Sequence, residues 1–388
     1  MPWRTATVRE ERARFVFEAK QGFLDFAKLC RRYGISRKTG YKWIDRYDAE
    51  GLDGLQDRSH RTHRCPHRTP KEIEERILAI RRHRGWGAKK IGAVLRREQG
   101  SAPSRDAIHR ILARHGCVEH RKPRRRREHP AAPISPMDRP NAVWSTDFKG
   151  HFLLGNGNYC HPLTVQDAFS RYVLACRALS RPRKELVIPW FKRLFSRFGV
   201  PDRIRTDNGP PFASANALGG LSELNVWWIR IGIVPERIEP GKPQQNGRHE
   251  RMHRTLKRRT ALPPADNLRA QQARFDRWRR TFNQERPHEA LDLRTPDDVY
   301  RPSPRRPPGE LREQTYPPHF EVRKVAQDST IRWKARKVFV TSLIHYDYVG
   351  LEEVGEDLWS VFYGPLHLGW LDEKDYRIMD VKGRRRKR

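Results

Sequence analysis

Residues 121–130 read RKPRRRREHP, six Lys or Arg in ten positions with no apolar period. Like charges this dense repel one another into an extended, solvated segment that no core can absorb. The run is therefore read as part of a basic linker, 121–140, and a chain of 388 residues has length for two or three domains around it.

The excess charge extends well beyond that run. Eighty Lys and Arg against 46 Asp and Glu leave +34, and the chain closes on a basic tail, 381–388, ending KGRRRKR. Such an excess calls for a polyanion, and nucleic acid is the default partner. There is no apolar run long enough to span a bilayer, and the N-terminus lacks the apolar core of a signal peptide, so a cytoplasmic protein without a membrane partner is expected. Five scattered cysteines, an odd number, suit free thiols. His60, His63, Cys65 and His67 cluster in SHRTHRCPH but match no paired zinc spacing, and a basic linker explains them as well.

Ahead of the linker the pattern is helical. Apolar residues recur at helical spacing over about 8–29, YGIS interrupts, and RKTGYKWIDRY resumes with Trp43 and Tyr47 four apart. Small Cys30, turn glycine Gly34, apolar Ile35 and capping Ser36 make this a helix-turn-helix within a domain at 1–58. Arg37, Lys38 and Lys42 then sit on the recognition helix, where base edges and phosphates are met; the plainer reading is a solvated basic face. Gly40 argues against the helix, since glycine costs about 1 kcal/mol there. A second helical DNA-binding domain is expected over 68–120, with Ile73, Ile77 and Ile80 on one stripe, Ser104 as a cap and Arg105 as a DNA contact.

After the linker the texture turns to strands. NAVWSTDFKGHFLL, NYCHPLTVQDAFS and RYVLACRAL read as three strands, followed by a helix, a strand at DRIRTDNG, a helical region, a strand at GIVPERI and a last helix. This βββαβαβα order over 141–262 makes a mixed five-stranded α/β core. A helical arm with Phe275, Trp278 and Phe282 and a Pro-rich spacer fill 263–315, and 316–380 is short-stranded, consistent with a small SH3-like β-barrel.

Three acids in the α/β segment ask for a reason. Asp147 interrupts a strand, and Asp207 ends another at an Asn-Gly turn. Glu250 stands among basic residues early in the last helix, about 200° around the axis from Met252 and about 240° from Leu256. Brought to one sheet edge, they would offer the hard oxygen ligands that Mg²⁺ or Mn²⁺ prefers. His253, Arg254 and Lys257 follow Glu250 along the helix and could grip a DNA backbone. The bland reading is that Glu250 only complements a helix dipole, worth about 0.3–1 kcal/mol. Asp167 reads as a loop support through Ser170 or Arg171.

Taken together, WSTDFKG, RTDNGPPF, PGKPQQNGRHERMHRTLK and FNQERPHEAL resemble the bacterial insertion-sequence DDE transposases with a retroviral-integrase-like (rve) core. The resemblance implies an RNase H-like fold, Asp147, Asp207 and Glu250 as a metal-binding catalytic triad, Mg²⁺ with Mn²⁺ able to substitute, and oligomers acting on terminal inverted repeats and target DNA. One departure stands out. Forty-two residues separate Asp207 from Glu250, where the family pattern has about 35, and an insertion around ALGGLSELNVWW would absorb the difference. Glu236 and Glu239 lie nearer Asp207, off the matching helix, with Glu239 as the remote substitute. A catalytically inactive DNA-binding regulator and an RNase H-like nuclease that cuts without joining are the alternatives.

Overall fold

The computed structural model describes residues 7–58, 68–118, 134–214, 217–239 and 242–380. His60, His63, Cys65 and His67, most of the basic linker and the basic tail lie outside the described residues. The chain forms two compact units, 1–70 and 71–388. The second helical segment thus belongs to the same unit as the α/β core, although the basic run was expected to part them.

In the first unit, α1 (Val8–Gln21), α2 (Phe26–Arg32) and α3 (Arg37–Glu50) enclose a core of Phe15, Val16, Leu29, Cys30, Trp43 and Leu55. Gly34 takes the left-handed conformation at φ 66°, and the Ser36 hydroxyl accepts the Thr39 amide at 3.2 Å, so turn and cap fall where the sequence places them. Gly40 has a packing reason. A Cβ there would stand 2.9 Å from each of Cys30 Sγ, Phe15 Cζ and Phe26 Cζ, so the glycine that weakens the helix in isolation is what lets it close on its neighbours.

The second unit opens with α4 (Lys71–Arg84), α5 (Ala88–Gln99) and α6 (Arg105–Arg114), packed on Ile77, Ile80, Ile91, Leu95, Ile108 and Ile111, with Ser104 capping α6. Arg84 to Glu285, Lys89 to Glu289 and Arg97 to Asp298 join this bundle to the segment beyond the α/β core. That is why it does not separate at the linker.

The α/β core comprises β1 (Val143–Phe148), β2 (Phe152–Leu153), β3 (Tyr159–Asp167), β4 (Val173–Leu179), α7 (Lys184–Phe198), β5 (Arg203–Thr206), α8 (Glu223–Arg230), β6 (Val234–Arg237) and α9 (Gly247–Thr260). β1 runs antiparallel to β3 and parallel to β5; β6 extends the parallel side and β4 the antiparallel side, giving the mixed sheet expected. The first predicted strand breaks after Phe148, and its remainder, β2, pairs with the start of β3. Trp144, Leu163, Val165 and Ile204 pack with α7 and α8 through Phe191, Phe195 and Trp228. Cys160, Val173 and Cys176 meet Met252 and Leu256 of α9 together with Phe275, Trp278 and Phe282. The last three belong to α10 (Leu268–Arg280) and the turn after it. The expected arm is therefore folded onto the core, because its aromatic stripe has a sheet to cover.

The C-terminal region has β7 (Glu321–Lys324), β8 (Thr330–Trp333), β9 (Arg336–Phe339), β10 (Tyr348–Gly355), β11 (Leu358–Tyr363), β12 (Leu366–Asp372) and β13 (Arg377–Met379). Five of them form an antiparallel sheet in the order β13-β12-β11-β10-β7, and β8 pairs with β9. The turn between β11 and β12 falls at Gly364 and Pro365. Leu218, Leu221 and Ile229 of the core are buried in this domain's apolar cluster. They lie in and beside the extra length between Asp207 and Glu250, and they dock the C-terminal sheet.

Candidate active site

Strand register brings two of the three acids together. β1 and β5 pair in parallel with a constant offset of 60, the last pair being Ser145 opposite Arg205. Two residues further, Asp147 is level with Asp207, and both share the face opposite Trp144 and Ile204. Asp207 lies one residue past the end of β5, and its charge is felt at Asp147. β1 ends at Phe148, and Asp207 follows the end of β5 in a turn where its Oδ1 accepts the Gly209 amide at 3.2 Å. Asn208 fastens this turn to the end of β6 through the Ile238 carbonyl at 2.8 Å.

The third acid comes from α9, which covers the same face. Met252 and Leu256 point into the core and Glu250, in the first turn, is exposed. Asp147 senses all of this. Its carboxyl is pushed up to about 7, first by burial, then by the charge of Asp207, with Lys149 opposing and Glu250 adding a further push. A carboxylate raised by two others is a site short of positive charge.

Two residues behind Asp147 escaped the reading of the sequence. Thr164 stands opposite Asp147 on β3, and its hydroxyl donates to the Asp147 carbonyl at 3.0 Å. That leaves the oxygen as acceptor for His249 Nε2 at 2.7 Å and His253 Nε2 at 2.6 Å. Both imidazoles are then Nε2–H tautomers. Burial drives them neutral, His249 down to about 3 and His253 lower still. Asp147, His249 and His253 also form a group that could hold a metal ion, with ligand atoms within 4.8 Å of one another. The visible signal was a pair of histidines four apart around Glu250 on one helix.

His253 therefore corrects an expectation. It is fully buried, with Nδ1 3.6 Å from Asp147 Oδ2, because its position on α9 faces the sheet; it cannot reach a DNA phosphate. Arg254 and Lys257 are exposed on the same helix, and Lys257 lines a cavity of about 220 Å³ with Lys149 and His151. Arg37, Lys38 and Lys42 are exposed along α3. Arg105 is exposed on α6, bonded to Asp106 at 2.9 Å.

The rival acids have other partners. Asp167 is buried and accepts the Asn141 amide at 2.8 Å, the Ser170 amide at 2.8 Å and the Ser170 hydroxyl at 2.6 Å. Glu236 pairs with buried Arg205. Arg205 also donates to the Gln245 carbonyl at 3.0 Å, which ties the strand ending in Asp207 to the loop that leads into α9. Glu239 is held in that loop by Gln245 at 2.8 Å and by Lys242. Among the described residues no helix is long and apolar enough to cross a membrane.

Comparison with known proteins agrees with this architecture. A helix-turn-helix domain matches residues 11–63 and a homeodomain-like domain 39–112; the integrase core domain matches 137–243 and 231–296. An uncharacterized 31.7 kDa protein of insertion element IS407 from Burkholderia multivorans is 28% identical over 279 residues, 70% of this chain and 88% of that protein. An uncharacterized 39.2 kDa protein of IS476 from Xanthomonas euvesicatoria is 26% identical over 267 residues, 66% of this chain and 73% of that one. Among solved structures, the HTLV-2 integrase catalytic core in complex with magnesium superposes with a TM-score of 0.33 at 20% identity, over 42% of this chain and 98% of the other.

Proposed function

We infer from a chain that belongs with the integrase-core transposases of bacterial insertion elements that it cuts DNA at the ends of its element and joins them to target DNA. The observation that carries this reading is the level placement of Asp147 and Asp207 on adjacent parallel strands, with the charge of Glu250 felt at Asp147.

Asp147, Asp207 and Glu250 would hold Mg²⁺, with Mn²⁺ able to replace it, since carboxylate oxygens suit both ions. Bound there, a pair of such ions would activate the attacking oxygen and stabilise the leaving oxygen of a phosphodiester. In the first step a water oxygen attacks phosphorus and the 3′ oxygen departs as the free hydroxyl of the element end. In the second that 3′ oxygen attacks a target phosphorus and displaces the target's own 3′ oxygen. No protein nucleophile is needed, so the chain's work is positioning and charge. The neutral His249 and His253, bonded to Thr164, hold the Asp147 backbone without adding positive charge beside the site. Arg205 and Glu236 would fix the loop that leads into the helix carrying Glu250. Exposed Arg254 and Lys257 would receive phosphate, and the helix-turn-helix domains would read the terminal repeats, in an assembly of several chains on paired ends in the nucleoid.

The test uses a labelled duplex from the DNA flanking the protein's own gene, with Mg²⁺ or Mn²⁺, comparing wild type with Asp207→Asn. Cutting and joining by wild type alone is expected. Cutting without joining would replace the reading with a nuclease, and tight binding with neither product would replace it with a DNA-binding regulator.

A further inference from the structure

A second charged feature lies outside the carboxylate cluster. A cleft of about 650 Å³ opens between the α4–α5 junction and α9, lined by Arg82, Lys90, Arg251, Arg254, Arg258 and Arg286, and among the described residues no acid lines it. Two further arginines on the cleft are spent on joining its walls. Arg84 binds Glu285 and, at 3.2 Å, the Thr281 hydroxyl, while Arg259 donates to the backbone carbonyls of His83 and Arg84. The other six make no ion pair among the described residues.

Packing of the unit leaves little to balance this charge; Glu289, paired with Lys89, is felt at Lys90. Lys90 and Arg286 are half-buried, and the Arg286 Nε finds no hydrogen-bond partner among the described residues. Burial, followed by the neighbouring Arg286, pulls the Lys90 ammonium down to about 8. Half-buried cations crowded together cost stability and are retained where an anion answers them. On α9 the cations recur at 251, 254 and 258, spacings of three and four that form one stripe beginning beside Glu250. From Glu250 to Arg258 the helix rises about 12 Å, the length of roughly three nucleotides at about 3.4 Å each along one strand. A ligand that fits must carry several negative charges in a line, which describes a nucleic-acid backbone.

We propose that this cleft binds the phosphodiester backbone of the DNA presented to the carboxylate site, clamped between the second helical domain and α9 of one chain. The proposal rests on the reading of α9 as the helix that carries the site. DNA leaving Glu250 runs along the arginine stripe into the cleft, where the helical domain closes the far side with Arg82 and Lys90.

The experiment measures binding of the full chain to a labelled random-sequence duplex over a series of KCl concentrations. Its variants are Lys90→Met with Arg286→Met for one wall, Arg254→Gln with Arg258→Gln for the other, and Lys192→Gln with Lys374→Gln as a charge-matched control. Each cleft pair is expected to reduce the slope of log affinity against log salt by about two, with the control unchanged. The Lys90, Arg286 pair is also expected to raise the melting temperature, which a merely structural role would lower. Unchanged slopes, or an equal fall in the control, would overturn the proposal. Cutting is scored separately with wild type and Asp207→Asn. Slope loss with no wild-type cutting keeps the cleft and removes the transposase reading; cutting with unchanged slopes does the reverse.

Discussion

Asp147 joins two opposing pH effects. Its folded carboxyl lies near 7, well above the ordinary aspartate value. Its neutral form is therefore favoured by folding, and this contribution is lost as pH rises from about 4 through 7. In metal-free protein Asp147→Asn is expected to add about 2 kcal/mol at pH 8 and almost nothing at pH 4, read from urea melts at both. Mn²⁺ should raise the melting temperature of wild type and leave that of the variant where it is. The histidines run the other way. His249 and His288 are both pushed down to about 3 by burial, so the stability they contribute is intact above about 6.5 and lost as pH falls below it. With His249, His253 and His288 lowered against Asp147 and the buried Asp167 raised, net stability is expected to fall on acidification, and His249→Asn should flatten that fall in a pH series of thermal melts. Thr164→Val would leave two buried N–H groups without an acceptor, at a cost of about 2 kcal/mol. The acids themselves were visible in the sequence, one inside a strand, one at a turn, one alone among basic residues. Thr164 was not, because it matters only through what lies across the sheet from it.

At the scale of elements, the helix-turn-helix was readable to its cap and turn, since capping and left-handed glycine are local chemistry. Gly40 was read as a weakness because helix propensity is local too, whereas its reason is the approach of three side chains from other helices. Gly40→Ala is accordingly expected to destabilise the first unit by about 1–3 kcal/mol in spite of alanine's better propensity, as a denaturant melt of the unit would show. The extra length between Asp207 and Glu250 obeys the same logic. Its presence was countable, and its purpose appears only where Leu218 and Leu221 enter the C-terminal cluster. Leu221→Ala is expected to cost about 2–5 kcal/mol and to increase amide exchange across β10–β12, while the helices of the first unit keep their protection.

For the whole molecule, the boundary that matters is near Pro70, ahead of the basic run, because α4–α6 are tied to the segment 281–298 by ion pairs and to Arg259 of α9 by its bonds to the His83 and Arg84 carbonyls. Each unit has its own apolar core. Fragments 1–70 and 71–388 are therefore each expected to fold alone, with cooperative melting by circular dichroism, whereas a fragment beginning at residue 134 should lose stability for want of its partners at Glu285 and Glu289. By itself the sequence determined the helices and strands, their order, the basic character and the three acids, since propensity, capping and alternation act over a few residues. Tertiary structure alone decided that Asp147 stands level with Asp207, that His253 turns inward while Arg254 turns outward, and that two basic surfaces face each other across one cleft. Those facts depend on strand register across 60 residues and on helix docking across 201, distances over which no local pattern carries information.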